Sequence, residues 1–179
     1  MQPMFDSLMA IMMHPVRVDR GVKTDDSVLL IYPPNNELDF REQLLDTFVP
    51  ALAARAIPCH LLDLTGFMFK DLSEQDVEGL QEDEIDDYKW LLQGLSKRVE
   101  TNLLAHLRKI AVQNPGGNVI VYATVAVYPL LRFGEVLKDL RELNCRFVLA
   151  FPGEERGGRL HFMNQPDGGN YLAVKISWP

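Results

Sequence analysis

The residues of this sequence that could carry out chemistry lie mostly where predicted strands end. Asp63 lies at the end of one short apolar strand, and Glu154 follows another. In a parallel α/β sheet the carboxyl ends of the strands meet at one edge, where ligands usually bind, so the two carboxylates could act together as acid and base. The structural alternative is that Glu154 pairs with Arg132 or Arg41, because the arginine fork matches a carboxylate and would fix neighbouring loops.

The first predicted strand is followed by a turn that does not suit a phosphate. The strand, VLLI at 28–31, is followed by YPPNNE at 32–37. A phosphate site needs backbone N–H groups from a glycine-rich turn, and the two prolines remove two of those donors. The chain also lacks G-x-x-x-x-G-K-[ST], G-x-G-x-x-G, G-x-S-x-G, C-x-x-C and H-E-x-x-H sequences. We therefore expect no nucleotide cofactor, no metal and no nucleophilic catalytic machinery.

Two tyrosines mark strand-to-helix junctions. Tyr32 precedes Pro33, and Tyr128 precedes Pro129 at the start of a helix that we expect to reach Leu143. Each ring could simply pack at the edge of the core. Alternatively, an exposed ring beside an arginine would form a protein-binding hot spot, since Tyr, Trp and Arg are enriched in such sites. The residues alone leave both hypotheses open.

The charge of the chain is unevenly distributed. The 179 residues carry a net charge of −7, yet residues 71–88 alone hold nine acids and no bases, so the remainder is mildly basic. A solvated helix face explains such a run more simply than a binding site does. The balance argues against DNA binding, which needs a dense basic face. If DNA is contacted within a complex, Arg156 and Arg159 are the first candidates.

Neither membrane insertion nor secretion is indicated. No apolar run approaches the roughly 20 residues that cross a bilayer. The first dozen residues lack a basic start, so we expect a short surface or docking helix there rather than a signal peptide. Cys59 and Cys145 each begin a predicted strand. Free cysteines are usually buried, and cytosolic thiols stay reduced, so both are expected to be structural.

Apolar strands that alternate with helices predict the α/β fold class. Continuously apolar strands are typical of a parallel sheet covered on both faces. We expect a three-layer, Rossmann-like domain with a mainly parallel sheet of four to six strands and a C-terminal antiparallel hairpin, formed by residues 160–163 and 171–176. Residues 1–26 would form an N-terminal arm, and residues 27–179 a single domain. Helices are expected at 38–54, 85–110 (divided before Ser96) and 128–143, with short helical turns at 67–72 and 74–80.

The same junctions resemble the BrxB family, a small component of bacterial BREX phage-defence systems. None of the similar segments is a catalytic signature, but the ordered set is specific and runs from residue 27 to 174. Residues 71–97 match least well. The segments are IYPPNNELDFREQL (31–44), HLLDLTGFMF (60–69), YPLLRFGEVLKDL (128–140), AFPGEERGGRLHFMN (150–164) and PDGGNYLAV (166–174).

The resemblance implies a cytoplasmic, accessory and non-catalytic subunit that serves phage resistance through protein–protein interaction. Its expected partners are PglZ, an alkaline-phosphatase-like protein of the same systems, and other BREX subunits. The resemblance supplies no catalytic residues. The alternative is an enzyme, or a protein that binds a nucleotide or another small molecule, using Asp63, Arg132 and Glu154 at the strand ends. Matching positions expected to form the working surface are Tyr32, Pro33, Glu37, Arg41, Tyr128, Arg132 and Glu154.

Overall fold

The structure is a computed structural model that describes residues 2–16, 26–70, 72–86, 88–140, 143–167 and 173–178, with the backbone alone for 81–86 and 135. Some sequence predictions fall outside these ranges. They are the end of the N-terminal arm (17–25), the turn at 168–170 and the first two residues of the last predicted strand (171–172). None of the described helices is long and apolar enough to span a membrane.

A mainly parallel sheet forms the centre of the molecule, as the sequence predicts. Its strands among the described residues are β1 (Val28–Tyr32), β2 (Cys59–Asp63), β3 (Asn118–Tyr122), β4 (Arg146–Arg156), β5 (Arg159–Phe162), β6 (Gln165–Pro166) and β7 (Val174–Ser177). Five of them run parallel in the order β2-β3-β4-β1-β7, and β5 and β6 are attached to the far end of β4. The five parallel strands agree with the four to six expected.

Helices cover both faces of the sheet and give three layers. They are α1 (Gln2–Met12), α2 (Glu37–Glu42), α3 (Val49–Ala54), α4 (Glu74–Asp86), α5 (Tyr88–Gln113) and α6 (Phe133–Leu140). A π-helical segment, Gln43–Phe48, joins α2 to α3, so the predicted helix at 38–54 is continuous. The π segment ends just before Pro50, which has no N–H to complete the ordinary helical ladder.

The side chains of β1 alternate between the two layers. Leu29 and Ile31 pack with α5 and α6 on one face, whereas Leu30 and Tyr32 pack with α1, α2 and α3 on the other. The connection from β1 to β2 crosses one face, and those from β2 to β3 and from β3 to β4 cross the opposite face. Right-handed crossovers that move in opposite directions along a sheet require this arrangement.

The N-terminal helix α1 docks on the domain, one of the two positions expected for it. Its side chains Met4, Phe5, Leu8 and Met12 are at most 3 % exposed. Burial of each such side chain contributes about 1.5–3 kcal/mol before the entropy of ordering is counted. The Arg146 guanidinium fixes the end of this segment, since it donates to the backbone oxygen of His14 over 3.1 Å.

The C-terminal region contains antiparallel hairpins, but their pairing differs from the prediction. β4 continues through Pro152 and Gly153 and pairs antiparallel with β5, and β5 pairs antiparallel with β6. The expected pairing of the last strand with residues 160–163 was wrong, because β7 lies parallel to β1 at the sheet edge. At Gly153 a Cβ atom would lie 2.0 Å from the backbone oxygen of His161, so only glycine allows the two strands to approach this closely.

Helix α5 extends beyond the carboxyl edge of the sheet. Its 26 residues span roughly 39 Å, whereas a five-residue strand spans roughly 17 Å. All but one of its fully buried residues lie from Val99 onward. Helix α4 runs back along the first half of α5, where Asp76 pairs with Arg98 at 3.7 Å. The expected division before Ser96 was wrong, since α5 is continuous there.

Candidate functional site

The turn after β1 is built from its two prolines. Pro33 is extended, with φ −60° and ψ 136°, and Pro34 begins a short 3-10 turn that ends at Asn36. The Asn36 N–H donates to the Pro33 oxygen over 2.9 Å. Proline suits the first position of a helical turn because its missing N–H would have no partner there. Asn36 directly precedes α2, but its side chain makes no capping hydrogen bond.

Tyr32 is a core residue, so the hypothesis of an exposed ring at this junction was wrong. The side chain is 0 % exposed. Its ring stacks on Phe40 with centroids 4.1 Å apart and an angle of 7° between the rings. The alternation of β1 points Tyr32 toward α2, and Phe40 lies on the face of that helix that covers the sheet. The position is therefore fixed by packing.

The Tyr32 hydroxyl donates a short hydrogen bond to the Glu37 carboxylate, 2.6 Å from Oε2. Burial, followed by the negative charge of Glu37, raises the pKa of Tyr32 far above its ordinary value. The hydroxyl therefore stays protonated and serves as a donor. Glu37 is half-buried, and its other oxygen, Oε1, makes no hydrogen bond within the described part of the chain.

A second polar group joins the ends of β2 and β3. Arg41 lies 3.8 Å from the Asp63 carboxylate, and its guanidinium carbon is 5.8 Å from the centre of the Tyr122 ring. Burial alone would raise the pKa of Asp63, but hydrogen bonds from Thr65 and Tyr122 and the charge of Arg41 outweigh it and hold this pKa below its usual value. Burial, then the Asp63 charge, raises the pKa of Tyr122. Asp63 therefore accepts hydrogen bonds as a carboxylate.

The structure does not bring Asp63 and Glu154 together. Asp63 ends β2, whereas Glu154 lies on the extension of β4, two strands away and beyond the carboxyl edge. Glu154 pairs with Arg156 on its own strand, so the predicted pairing with Arg132 or Arg41 was wrong as well. Successive odd or even positions of a strand share one face, which makes this local pair possible. No acid–base pair is therefore formed by these two carboxylates.

The segment 128–132 is a loop rather than the start of a helix. The Tyr128–Pro129 peptide bond is cis, and α6 begins only at Phe133. Leu130 and Leu131 are 8 % and 4 % exposed and anchor the loop on the core. The Ser96 hydroxyl of α5 donates to the Leu130 oxygen over 2.5 Å. The expectation that Pro129 occupies a first helical position was therefore wrong, and Ser96 holds this loop instead of capping a helix.

Two cavities flank the 128–132 loop. The larger, about 570 Å³, lies between the loop and the projecting half of α5. The smaller, about 300 Å³, lies between the loop and the β5–β6 hairpin. Pro129 and Arg132 are exposed and line both cavities, so the loop forms a ridge between them. Tyr128 is half-buried beside the smaller cavity, with its ring 6.0 Å from that of Phe162.

The larger cavity includes α5 residues that the sequence did not single out. Leu92, Ser96 and Glu100 recur every four residues and therefore share one helix face, and Lys97 adjoins it next to Ser96. No signal in the sequence shows that the first half of α5 passes the sheet edge, because that depends on the lengths of α5 and the strands together.

The described residues offer little further chemistry. Within them, no group of three or more His, Cys, Asp or Glu side chains is placed to hold a metal ion. Cys59 and Cys145 are free thiols, as expected. Burial raises the pKa of Cys59 to about 12 and also raises that of Cys145, so neither thiol ionises readily near neutral pH.

Three comparisons with known proteins relate the chain to other sequences and structures. A family model described as "BREX protein BrxB" matches residues 61–176, which is more than half of the chain. Neither the curated proteins nor the solved structures contain a significant match. The matched region runs from within β2 to within β7 and therefore includes the 128–132 loop and the residues that line both cavities beside it. This chain belongs to the BrxB family of BREX proteins.

Proposed function

We propose that this chain is a non-catalytic subunit that acts as a protein-interaction module and binds the PglZ-like, alkaline-phosphatase-superfamily component of its system. Membership of the BrxB family makes it a component of a BREX antiviral defence system. Other BREX subunits are its further expected partners. We also propose that it works in the cytoplasm, where a defence complex would meet phage DNA.

The observation that carries this proposal is the contrast between two surfaces at the carboxyl edge. At the strand ends, the polar side chains contact one another, as Tyr32 does with Glu37 and Arg41 with Asp63. Beside the 128–132 loop, exposed Pro129 and Arg132 stand between two open cavities. Protein interfaces favour such combinations of apolar recesses with arginine. The loop is therefore the better candidate for contact with a partner.

Co-purification tests the proposed function. The chain is co-expressed with the PglZ-like protein encoded in the same operon, and one of the two carries an affinity tag. We expect a stable complex at micromolar concentration in size-exclusion chromatography. A tagged, unrelated α/β protein is the control for non-specific binding to the PglZ-like protein. Separate elution of the two folded proteins at that concentration would refute the proposal.

The alternative function, an enzyme or a protein that binds a small molecule, is tested with the isolated chain. A thermal-shift screen with nucleotides and phosphorylated metabolites is expected to leave the melting temperature unchanged. A ligand at 100 times its dissociation constant would stabilise the protein by about 2.7 kcal/mol, which such a screen detects readily. A reproducible shift with one class of compounds would favour the small-molecule alternative.

The chain alone is not expected to bind DNA. Its net charge is −7, and Arg156, on the exposed hairpin, is already paired with Glu154. Non-specific DNA binding depends on releasing counterions at a basic surface, which this balance does not supply. A gel-shift assay at low salt is expected to show no retarded band, and a salt-sensitive band would contradict the expectation.

A further inference from the structure

We infer that the larger cavity beside the 128–132 loop receives an acidic segment of the protein partner, with a carboxylate held between Lys97 and Arg132. The inference rests on the proposed function, because it specifies how that partner is recognised. Its starting point is the position of the two cations. Lys97 is on the wall formed by α5 and Arg132 is on the wall formed by the loop.

Both cations are available to a partner. Each residue is exposed, and neither forms an ion pair with any side chain that the structure describes. Arginine can bind a carboxylate through two parallel hydrogen bonds, and lysine adds a compact charge. Two cations on opposite walls therefore favour an anionic group between them. Glu100 also lines this cavity, on the α5 wall, and would disfavour a second carboxylate beside it.

The apolar part of the cavity shows that the anion belongs to a larger segment. Leu92, Pro129, Leu130 and Leu131 line the same space as the cations. Ser96 joins the two walls through its hydrogen bond to the Leu130 oxygen. Leu130 and Leu131 are already buried, but a free phosphate or carboxylate would leave exposed Pro129 and half-buried Leu92 uncovered. A peptide with a leucine-like side chain next to an acid would cover both.

The surroundings favour a protein segment over a small molecule. The cavity opens to solvent along the exposed positions Gln93 and Lys97, whereas small-molecule pockets enclose most of the surface of their ligand. The lining of the larger cavity includes two cations and one acid, whereas that of the smaller cavity includes one of each, Arg132 and Asp167. The acidic side chain of the partner is therefore expected on the α5 side of the loop.

Charge reversal tests the inference. The double variant K97E/R132E is expected to bind the PglZ-like protein at least about tenfold more weakly, a loss of about 1.4 kcal/mol. R108E/K109E is the matched control, because it also reverses two exposed cations, about 18 Å further along α5 from Lys97. Circular dichroism and thermal melts of each variant check that the fold is retained.

Photo-crosslinking identifies the segment that occupies the cavity. A photoreactive amino acid replaces Gln93, which lines the cavity and carries no charge. The crosslinked peptide of the partner is expected to contain an acid next to apolar residues. Replacement of that acid by lysine should weaken binding to the wild type and restore binding to K97E/R132E.

The outcomes separate the inference from the proposed function. If wild type fails to form the complex, the proposed function and the inference both fall. If the complex forms and K97E/R132E binds as tightly as R108E/K109E, only the inference falls. Crosslinks to a basic or wholly apolar segment would also overturn it, and so would an equal loss of binding in R108E/K109E.

Discussion

The hydrogen bond between Tyr32 and Glu37 offers a sharp test of how the carboxyl edge is built. Replacement of Tyr32 by phenylalanine removes one oxygen atom and keeps the ring that stacks on Phe40. Because Tyr32 is 0 % exposed, water cannot take the place of the lost hydroxyl. The change therefore removes the 2.6 Å bond to the carboxylate and little else.

The expected loss in the free energy of unfolding of Tyr32→Phe follows from the charge of the Glu37 acceptor and from the burial of Tyr32. Hydrogen bonds to charged groups contribute about 1.5–3 kcal/mol to the free energy of unfolding. For a protein of this size, each kcal/mol lowers the melting temperature by roughly 2–4 °C, so a decrease of about 3–12 °C is expected. The effect should lie near the upper end, because Glu37 Oε1 already makes no hydrogen bond among the described residues.

Urea unfolding measures this difference, and a double-mutant cycle isolates the pair. Tyr32→Phe and Glu37→Ala are combined, because alanine removes the acceptor, and a coupling free energy of about 1.5–3 kcal/mol is expected. Tyr122→Phe is the matched control, because its partner Asp63 has a side chain that is 40 % exposed and can be hydrated. An unfolding free energy of Tyr32→Phe within about 0.5 kcal/mol of wild type would refute the reasoning, since that is the range of neutral substitutions.

Three further changes test other parts of the fold. Gly153→Ala places a Cβ atom 2.0 Å from the His161 oxygen. Urea unfolding is expected to show a free energy of unfolding about 1–3 kcal/mol lower. Gly94→Ala, which has open space around it in α5, should raise the free energy of unfolding by about 0.5–1 kcal/mol. Arg146→Met removes a buried guanidinium that holds the end of α1, and hydrogen exchange should show faster opening of that helix; equal protection in both proteins would contradict this role. Asp63 has a lowered pKa and so stabilises the fold above its unfolded pKa of about 3.9; the advantage of wild type over Asp63→Asn should disappear as the pH falls below about 4, and an advantage that grows in acid would be incompatible with this.

The sequence predicted the central sheet because the relevant physics is local. A run such as Val28–Ile31 has no polar alternation, which is typical of a strand buried on both faces. The helix after it follows from the apolar spacing in 38–54. For α1 the sequence predicted either a surface helix or a docking helix. The apolar residues of a helix do not show which surface they pack against.

Errors concentrate where a residue has more than one suitable environment. Pro129 suits a first helical turn or a loop, and the contact of Ser96 with Leu130 decided for the loop. Glycine after Pro152 usually ends a strand, yet Gly153 allows β5 to lie unusually close to β4. The turn residues at 165–170 predicted a hairpin around them, whereas the antiparallel pairs are β4 with β5 and β5 with β6. The turn residues could not show that β7 pairs with β1, because that pairing depends on which edge of the sheet has no neighbouring strand.

The sequence by itself determined the fold class, the lack of a phosphate-binding turn and the resemblance to the BrxB family. Each depends on residues that are adjacent in the chain or on their order along it. Only the tertiary structure decided which side chains are accessible. Tyr32, next to two prolines, became part of the core because β1 turns its even positions toward α2. Arg132 remained exposed beside α5, because a helix longer than the strands passes the sheet edge and forms a wall there.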